Sequence, residues 1–537
     1  MGQEIQLVAN GDLRLSANRM CWPAQENAER KLIAAVENEG HSVKRVHGYD
    51  ATKQHGFIDS QKRGLEVFRD VDPKKPLIVC EAVWQYSQHI LAGLWSHQAP
   101  ILTVANWSGQ WPGLVGMLNL NGSMTKAGIP YSTLWSDDFS DEFFLSKLRT
   151  WFEKGVVKHP QLHIKPAQDI PVPHGIAPIA SEVAQELRRD KAILGVFDEG
   201  CMGMYNAIIP DELLAPLGVF KERLSQSALY AAMLEVTNAE AQSVRDWLDA
   251  KGVQFRIGSD EATELTDAQV FEQCKMYVGA LRIADEMGCA VIGIQYQQGL
   301  KDICSASDLV EGLLNNVERP PARSADGARE LFEGEALPHF NEVDECSGLD
   351  ALITNRLWTK LGWEPETTLH DIRYGEPFTV DGEERFVWVF EISGAVPPNH
   401  LIGGYAGAVS LRQPPMYFPR GGGTITGVSK PGWIVWSRIY IEDAKLKADL
   451  GVAEVVELPR EETERRWQIT TPQWPIMHAV TPGIDRDKMM GRHKSNHIQV
   501  VYAPNKSSLT KGLGAKLHAF RQLGIEVFVC GQGHDLA

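Results

Sequence analysis

The chain has 537 residues, 43% of them hydrophobic and 23% charged, and 69 acidic side chains outnumber 53 basic ones to give a formal net charge of −16. This length predicts two or three domains, and the composition excludes a mostly disordered, collagen-like or coiled-coil protein. Because an acidic surface repels phosphate backbones and anionic lipids, we expect neither nucleic acid nor a membrane surface as partner.

The N-terminal residues show no basic stretch followed by a long apolar run, and nowhere do about 18 apolar residues follow one another. The eight cysteines form no C-x-x-C pair, a usage typical of reduced thiols. We therefore expect a cytoplasmic protein that is neither secreted nor membrane-spanning.

Residues 1–165 alternate between strand and helix patterns. Predicted strands cover residues 5–9, 43–46, 77–83 and 101–105. Predicted helices cover residues 25–39, 59–71, 85–96, 114–127 and 141–157. Alternating βα units predict a parallel, doubly wound sheet. The stretch 158–180 is rich in Pro and His and has neither period, so it is predicted to be a linker at a domain boundary.

Residues 166–347 repeat this alternation and predict a second α/β domain, whereas residues 348–537 predict a mainly β domain. In the second domain, strands are predicted over 192–197, 253–257 and 290–295, and helices over 239–250 and 267–287. In the third, a helix is predicted over 349–361, an Asp381-Gly382 hairpin, a strand over 433–441, a helix over 508–523 and a strand over 525–530. The predicted fold is thus two consecutive doubly wound, Rossmann-like α/β domains followed by a mainly β C-terminal domain.

No single motif has the spacing of a phosphate loop, a nucleophile elbow or a zinc site, so polar residues at strand ends are the better signal. Gln295 and Gln297 follow a strand of the second domain, where α/β sheets place their ligand crevice. Glu311 lies in the first turn of a helix; the alternative role for it is a capping box with Asp308.

Two further stretches combine chemistry-bearing side chains with simple structural alternatives. Glu342, Asp344 and Glu345 lie at a strand-to-helix junction, where acids also compensate the helix dipole. His497 begins a strand in Ser-Asn-His-Ile, and an ordinary surface histidine is the alternative there.

Taken together and in this order, these segments resemble the L-fucose isomerase and L-arabinose isomerase family, more closely its L-fucose side. The matching segments are Asn18-Arg19, Cys80-Glu-Ala-Val-Trp, Gly200-Cys-Met-Gly-Met, strand-Gln-x-Gln, Asp308-Leu-Val-Glu, Glu342-Val-Asp-Glu-Cys-Ser-Gly, Tyr417-Phe-Pro-Arg-Gly-Gly-Gly, Gln473-Trp-Pro and Ser495-Asn-His-Ile. The resemblance runs nearly end to end and implies a ketol isomerase of free sugars.

The resemblance also implies a set of site residues and an oligomer. The implied metal ligands are Glu311, Glu345 and His497, with both glutamates catalytic. The implied sugar-binding residues are Arg19, Trp84, Gln295, Gln297, Tyr417, Trp474 and Asn496. Arg19 and Trp84 would come from a neighbouring subunit of a homo-oligomer, a trimer or hexamer.

The chemistry of the reaction agrees with that set. Moving a carbonyl from C1 to C2 requires a proton to leave C2 and another to reach C1, through a cis-enediol. Two carboxylates and an imidazole suit Mn²⁺, or Mg²⁺ or Co²⁺, as a Lewis acid beside the sugar oxygens, and carboxylates beside it serve the proton transfers.

Several alternatives stay open at the level of sequence. The L-fucose enzymes carry an aspartate where Glu345 aligns, and the L-arabinose enzymes a second glutamate, so Glu342 and Asp344 are rival assignments for the second ligand. A metal-dependent sugar epimerase would use the same site with another product. Two consecutive α/β domains also form receptor clefts, so a non-catalytic sugar-binding protein is a third hypothesis.

Overall fold

The computed structural model describes residues 2–532 and has a mixed α/β fold, with parallel sheets flanked by helices and a sheet-rich C-terminal region. The predicted fold class is confirmed. Among the described residues, no helix is long and apolar enough to cross a membrane.

The first part of the chain forms a parallel five-stranded sheet. Its strands are β1 (Glu4–Val8), β2 (Ser42–Arg45), β3 (Leu77–Glu81), β4 (Ile101–Asn106) and β5 (Ser132–Ser136). Its helices are α1 (Leu15–Asn38), α2 (Gln61–Val67), α3 (Gln88–Trp95), α4 (Gly113–Ala127) and α5 (Glu142–Lys154). The strand order β2-β1-β3-β4-β5 is that of a doubly wound sheet, which places ligands at the carboxyl ends of its strands.

Two features of this part differ from the sequence-based expectation. Helix α1 begins at Leu15, well before the predicted start near residue 25, and contains Pro23 within its third turn. Strand β5 was not predicted: it is buried throughout, so it lacks the alternation that marks a half-exposed strand.

The second part continues the α/β pattern. Its strands are β6 (Ile164–Pro166), β7 (Ala192–Phe197), β8 (Val219–Leu224), β9 (Gln254–Phe255) and β10 (Cys289–Ile294). Its helices are α6 (Ile176–Asp190), α7 (Asp211–Leu214), α8 (Gln226–Glu235), α9 (Asn238–Ala250), α10 (Asp267–Glu286), α11 (Asp308–Leu314) and α12 (Glu345–Leu361). Only β10, β7 and β8 form its parallel sheet, in that order.

The third part is built around one large, mainly antiparallel sheet. The strands of this part of the chain are β11 (Thr367–Val380), β12 (Glu383–Glu391), β13 (Val409–Ser410), β14 (Gly432–Glu442), β15 (Lys445–Val455), β16 (Ile476–Val480), β17 (His497–Ala503) and β18 (Glu526–Cys530). Its helices are α13 (Arg460–Gln468), α14 (Arg486–Arg492) and α15 (Leu509–Gln522). The sheet order is β14-β17-β11-β12-β16-β15-β18-β6, and β14 also pairs with β15, so six strands close into a ring.

The predicted hairpin is confirmed: Asp381 and Gly382 join β11 to β12, both with positive φ, as a two-residue hairpin turn requires. The predicted linker, by contrast, is not free of structure. Within it β6 pairs with β18, and α6 begins at its end. Strand β9 pairs with β13 rather than with its own domain's sheet. The second and third parts are therefore held together by shared strand pairing.

Candidate functional site

One pocket is lined by residues from all three parts of the chain. The lining residues are Arg14, Trp84 and Pro112 from the first part, Met202, Gln297 and Glu342 from the second, and Asp371, Ser393, Tyr417, Phe418 and Trp474 from the third. Its free volume is ≈ 30 Å³ as the side chains stand, about the share of one water molecule. The pocket is therefore almost filled by its own side chains.

Some of the pocket-lining residues lie just after the carboxyl ends of strands in the two parallel sheets. Trp84 follows the carboxyl end of β3, and Gln297 follows the carboxyl end of β10. This is where parallel sheets bind ligands, because the loops there are free to present side chains. Of the two glutamines expected at a ligand crevice, Gln297 lines the pocket. Gln295 is buried and is not among the pocket-lining residues.

Glu342 reaches the pocket from an unusual turn just before α12. Glu342 and Val343 both have positive φ, which is costly for residues with a side chain, most of all for a β-branched one. The Glu342 carboxylate accepts a hydrogen bond of 3.2 Å from the Ser393 hydroxyl. The backbone strain at Glu342 and Val343 thus lies where the Glu342 carboxylate enters the pocket.

Asp371 and His497 are brought together by strand register. They are direct partners in the antiparallel pair β11–β17, so their side chains stand side by side. The His497 Nε2 atom lies 3.3 Å from Asp371 Oδ1 and 3.6 Å from Glu342 Oε2. The carboxylates of Glu342 and Asp371 therefore converge on one edge of the imidazole, and both line the pocket.

The other edge of His497 is fixed by a buried ion pair. His497 Nδ1 lies 2.7 Å from Asp344 Oδ2, and Arg438 donates to the same carboxylate. Burial raises the pKa of Asp344, but the Arg438 charge and the His497 contact outweigh it and hold that pKa below its usual value. Burial lowers the pKa of His497, but its close contacts with the carboxylates of Asp344, Asp371 and Glu342 outweigh burial and raise that pKa well above 6.5.

Glu311, a predicted ligand, is buried in helix α11. Its carboxylate accepts hydrogen bonds from the Ser307 hydroxyl and the Asn341 side chain, and His339 Nδ1 is 3.7 Å away. It is not among the pocket-lining residues and makes no ion pair with His497. Burial raises its pKa to about 7. The structure places Glu311 beside Asn341, next to the Glu342 turn, rather than at the imidazole.

Glu345, the other predicted ligand, points away from His497. Its Oε2 atom accepts from the Ile209 amide at 2.7 Å and lies 2.7 Å from Lys221 Nζ. Burial raises its pKa to about 7 despite the Lys221 charge. Glu345 is the first residue of α12, so its side chain leaves the chain in a different direction from that of Asp344 and meets β8 instead. In this structure, Glu342 and Asp371, rather than Glu311 and Glu345, are the carboxylates beside His497 Nε2.

The predicted sugar-binding residues divide into two groups. Trp84, Gln297, Tyr417 and Trp474 line the pocket. Arg19 does not: it is exposed, and its guanidinium donates to the Lys53 and Thr52 carbonyls. Asn496 is fully buried, with its amide 3.2 Å from Met204 Sδ. Trp84 meets residues of its own chain, whereas the family resemblance implies that a neighbouring subunit supplies it.

Arg14 is the arginine in the pocket, and sequence reasoning missed it. Its guanidinium is paired with Asp12 at 2.6 Å, donates to Gln297 Oε1 at 2.6 Å and lies 4.6 Å from the Tyr417 ring centre. Asp371 was missed as well. A usable signal existed for both: Asp12 and Arg14 follow β1, and the buried strand β11 carries His370, Asp371 and Arg373, an unusual charge density for a strand interior.

The donor chemistry at His497 fits a divalent cation, although the side chains now contact one another. In the described residues, no group of three or more His, Cys, Asp or Glu stands arranged to hold a metal ion. Yet Asp371 Oδ1 and His497 Nε2 are buried and lack a well-aligned hydrogen bond within the described chain. Two carboxylates and one imidazole are ligands that Mn²⁺ accepts. Glu342, Asp371 and His497 would hold such an ion if the carboxylates moved apart from the ring.

Comparison of the sequence with models of known protein families and with curated proteins gives no match.

Proposed function

We propose that this chain is a metal-dependent aldose–ketose isomerase acting on a free monosaccharide such as L-fucose, D-arabinose or L-arabinose. The observation that carries the proposal is one pocket lined by Glu342, Asp371 and several aromatic side chains, in which both carboxylates also lie close to the buried His497 imidazole. The resemblance of the ordered sequence segments to the L-fucose and L-arabinose isomerases supports it independently.

Glu342, Asp371 and His497 would hold the ion, Mn²⁺ or alternatively Mg²⁺ or Co²⁺. When bound, such an ion acts as a Lewis acid toward neighbouring sugar oxygens. The carboxylates of Glu342 and Asp371 have the second task of moving protons: one accepts the C2 proton of the aldose, and a proton is returned to C1 of the enediol to give the ketose. Positioned carboxylates typically contribute about 10²- to 10⁴-fold to such transfers.

The remaining wall suits a small polyol with one apolar face. Trp84, Tyr417 and Trp474 offer ring surfaces for the C–H side of a sugar and exclude water from the enediol. Arg14 and Gln297 offer donors and an acceptor for its hydroxyl groups. The proposal is thus specific about the size class of the substrate and leaves room for several pentoses and deoxyhexoses.

Admission of a sugar requires the pocket to open. The free volume of ≈ 30 Å³ is far below the roughly 300–1,000 Å³ of ordinary ligand pockets. Arg14 occupies the space between Gln297 and Tyr417, so it is the side chain that must give way first. We infer that sugar hydroxyl groups take over the contact that Gln297 now makes with Arg14.

The proposal extends to the setting of the protein. Seven cysteines are buried and form no disulfide in the described chain, which agrees with a reducing, cytoplasmic location. A homo-oligomer, trimeric or hexameric, is part of the proposal through the family resemblance alone.

The test is conversion of a panel of aldoses and ketoses by purified protein, followed by chromatography. With Mn²⁺ added, we expect at least one aldose to give its 2-ketose, and exhaustive chelation should stop the reaction until Mn²⁺ is restored. Appearance of an epimer instead of a ketose would replace isomerase by epimerase. Tight sugar binding with no conversion of any sugar would favour a binding protein.

A further inference from the structure

The two ring nitrogens of the buried His497 differ: Nδ1 has a close carboxylate partner, whereas Nε2 has no well-aligned hydrogen bond in the described chain. Asp344 is fully buried, and its two carboxylate oxygens have different partners. Oδ2 contacts His497 Nδ1 at 2.7 Å, and Oδ1 accepts a hydrogen bond of 3.0 Å from the Ser347 amide at the start of α12. Asp344 thus connects the imidazole to the first turn of a 17-residue helix.

Arg438 is a third partner of the Asp344 carboxylate. It lies on β14, is 1% exposed, and donates both to Asp344 and to the Ser347 hydroxyl at 3.2 Å. A carboxylate held by a helix N-terminus and a buried guanidinium has one orientation only. Its contact with Nδ1 then determines which nitrogen of His497 is free for the pocket.

We propose that Asp344 is a positioning residue that acts through His497: it holds one proton on Nδ1, so that Nε2, which faces Glu342 and Asp371, is the nitrogen that gives up its proton when a metal ion binds. This inference rests on the proposed function for the presence of the metal. It changes the part assigned to Asp344, which the sequence offered as a rival ligand. Partners of this kind raise ligand basicity, and their loss typically weakens metal binding about 10- to 100-fold.

Asp344→Asn separates this role from helix capping. Asn is as good an N-cap residue as Asp, so the Ser347 contact can be kept. With the amide oxygen at Ser347, however, the amide nitrogen faces Nδ1 and Arg438. A donor at that place favours the other tautomer of His497, with its proton on Nε2, where it blocks a metal ion.

The chain offers a matched control in Asp350, on the same helix. Asp350 is also fully buried and pairs with a buried cation, Lys516, at 2.7 Å, but it is not part of the pocket. Asp350→Asn leaves a buried cation without its carboxylate, as Asp344→Asn does. It therefore reproduces the general loss of stability without touching His497.

The measurement is the Mn²⁺ dissociation constant of each protein near neutral pH, read from the electron paramagnetic resonance signal of free Mn²⁺. We expect Asp344→Asn to bind Mn²⁺ about 10- to 100-fold more weakly than the parent, and Asp350→Asn to bind it within about twofold. Equal affinity in Asp344→Asn and the parent would overturn the inference while leaving the metal site intact.

Two further outcomes have a defined meaning. If the parent binds no Mn²⁺, the proposed function loses its metal, and the inference fails with it. If Asp344→Asn does not fold, the double variant Asp344→Asn with Arg438→Gln removes the stranded guanidinium and is measured instead. Parent-like affinity in that folded double variant would also overturn the inference.

Discussion

Two buried polar networks lie within the first two turns of the same helix, α12, one at its N-cap Asp344 and one at Asp350, and they differ in how many of their polar atoms are hydrogen-bonded. Around Asp350, Oδ1 accepts from Lys516 at 2.7 Å and from Thr354 at 2.9 Å, and Oδ2 accepts from Ser437 at 2.6 Å. Around His497, Nε2 and Asp371 Oδ1 are buried without a well-aligned hydrogen bond in the described chain. The first network is complete within the protein, and the second is not.

We interpret this difference in hydrogen bonding as a difference in role: the Asp350 network is structural, and the His497 network is functional. Buried polar groups are nearly always paired, so each unpaired one calls for an explanation, and functional sites are where local rules are commonly broken. The Asp350 network joins α12, β14 and α15 and explains why a lysine stands inside a core. The His497 network opens onto the pocket. We therefore expect substitutions in the first to change stability and substitutions in the second to change chemistry.

The largest expected effect is on turnover at the pocket. Asp371→Asn removes one of the two carboxylates beside His497, and we expect the turnover number to fall by about 10²- to 10⁴-fold. Because Asp371 accepts no well-aligned hydrogen bond at Oδ1, the free energy of unfolding should change little. Steady-state assays and urea unfolding of the same preparation check both parts. A variant that keeps parent turnover would remove Asp371 from the site.

The next effect is on stability at the Asp350 network. Lys516→Met leaves the Asp350 carboxylate buried without its cation, and breaking such a pair costs about 3–5 kcal/mol. The double variant Lys516→Met with Asp350→Leu should recover much of that loss. Denaturant unfolding measures the free energy, and turnover per folded molecule should stay at the parent value in both. A large loss of turnover in the folded single variant would contradict the separation of the two networks.

A smaller effect concerns pH and a third buried group, His47. Burial, with the neighbouring Arg45 charge, lowers the pKa of His47 to about 3, and its Nε2 accepts from the Ala9 amide at 3.1 Å. Because the unfolded state binds this proton near pH 6.5 and the folded state does not, stability is lost as pH falls below 6.5. From pH 7 to pH 5 the contribution is about 2 kcal/mol.

His47→Gln should therefore flatten the pH dependence of unfolding by that amount relative to the parent, because glutamine does not titrate. Unfolding by urea at pH 7 and pH 5 for both proteins gives the difference. Parallel stability curves for the two proteins would contradict a neutral, buried His47.

The smallest expected effect is on substrate affinity at Arg14. Arg14→Lys keeps the charge beside Asp12 but loses the fork that also reaches Gln297. We expect the Michaelis constant to rise about tenfold, equivalent to about 1.4 kcal/mol, with turnover nearly unchanged. Arg19→Lys is the matched control, because Arg19 is exposed and its guanidinium donates to the backbone carbonyls of Thr52 and Lys53, outside the pocket. A response to Arg19→Lys and none to Arg14→Lys would restore the sequence-based assignment.

The sequence predicted the architecture well because periodicity is a local property. Helices α9 and α10 and strands β7 and β10 agree with prediction to within a residue or two at their ends. The predicted linker failed for a non-local reason, since β6 owes its extended structure to pairing with β18 far along the chain. A strand as short as β6 has too few residues to show the alternation of apolar and polar side chains from which strands are predicted.

The residues of the pocket were predicted in part, and the differences have a physical cause. Trp84, Gln297, Tyr417 and Trp474 line the pocket, and sequence reasoning named them because they follow strand ends or fall in segments with a family resemblance. Within Glu342-Val-Asp-Glu, however, three acids compete, and only the backbone decides among them. Positive φ at Glu342 and Val343 turns Glu342 toward the pocket, Asp344 toward His497 Nδ1 and Glu345 toward Lys221. One-dimensional spacing does not encode that turn.

The central claim, that Glu342 and not Glu345 serves the chemistry, is tested most directly by exchange of substrate C2 hydrogen with solvent deuterium. Parent, Glu342→Gln and Glu345→Gln are compared with Mn²⁺ and the same sugar. We predict exchange about 10²- to 10⁴-fold slower in Glu342→Gln and close to the parent rate, per folded molecule, in Glu345→Gln. Parent-like exchange in Glu342→Gln together with loss of exchange in Glu345→Gln would contradict the account.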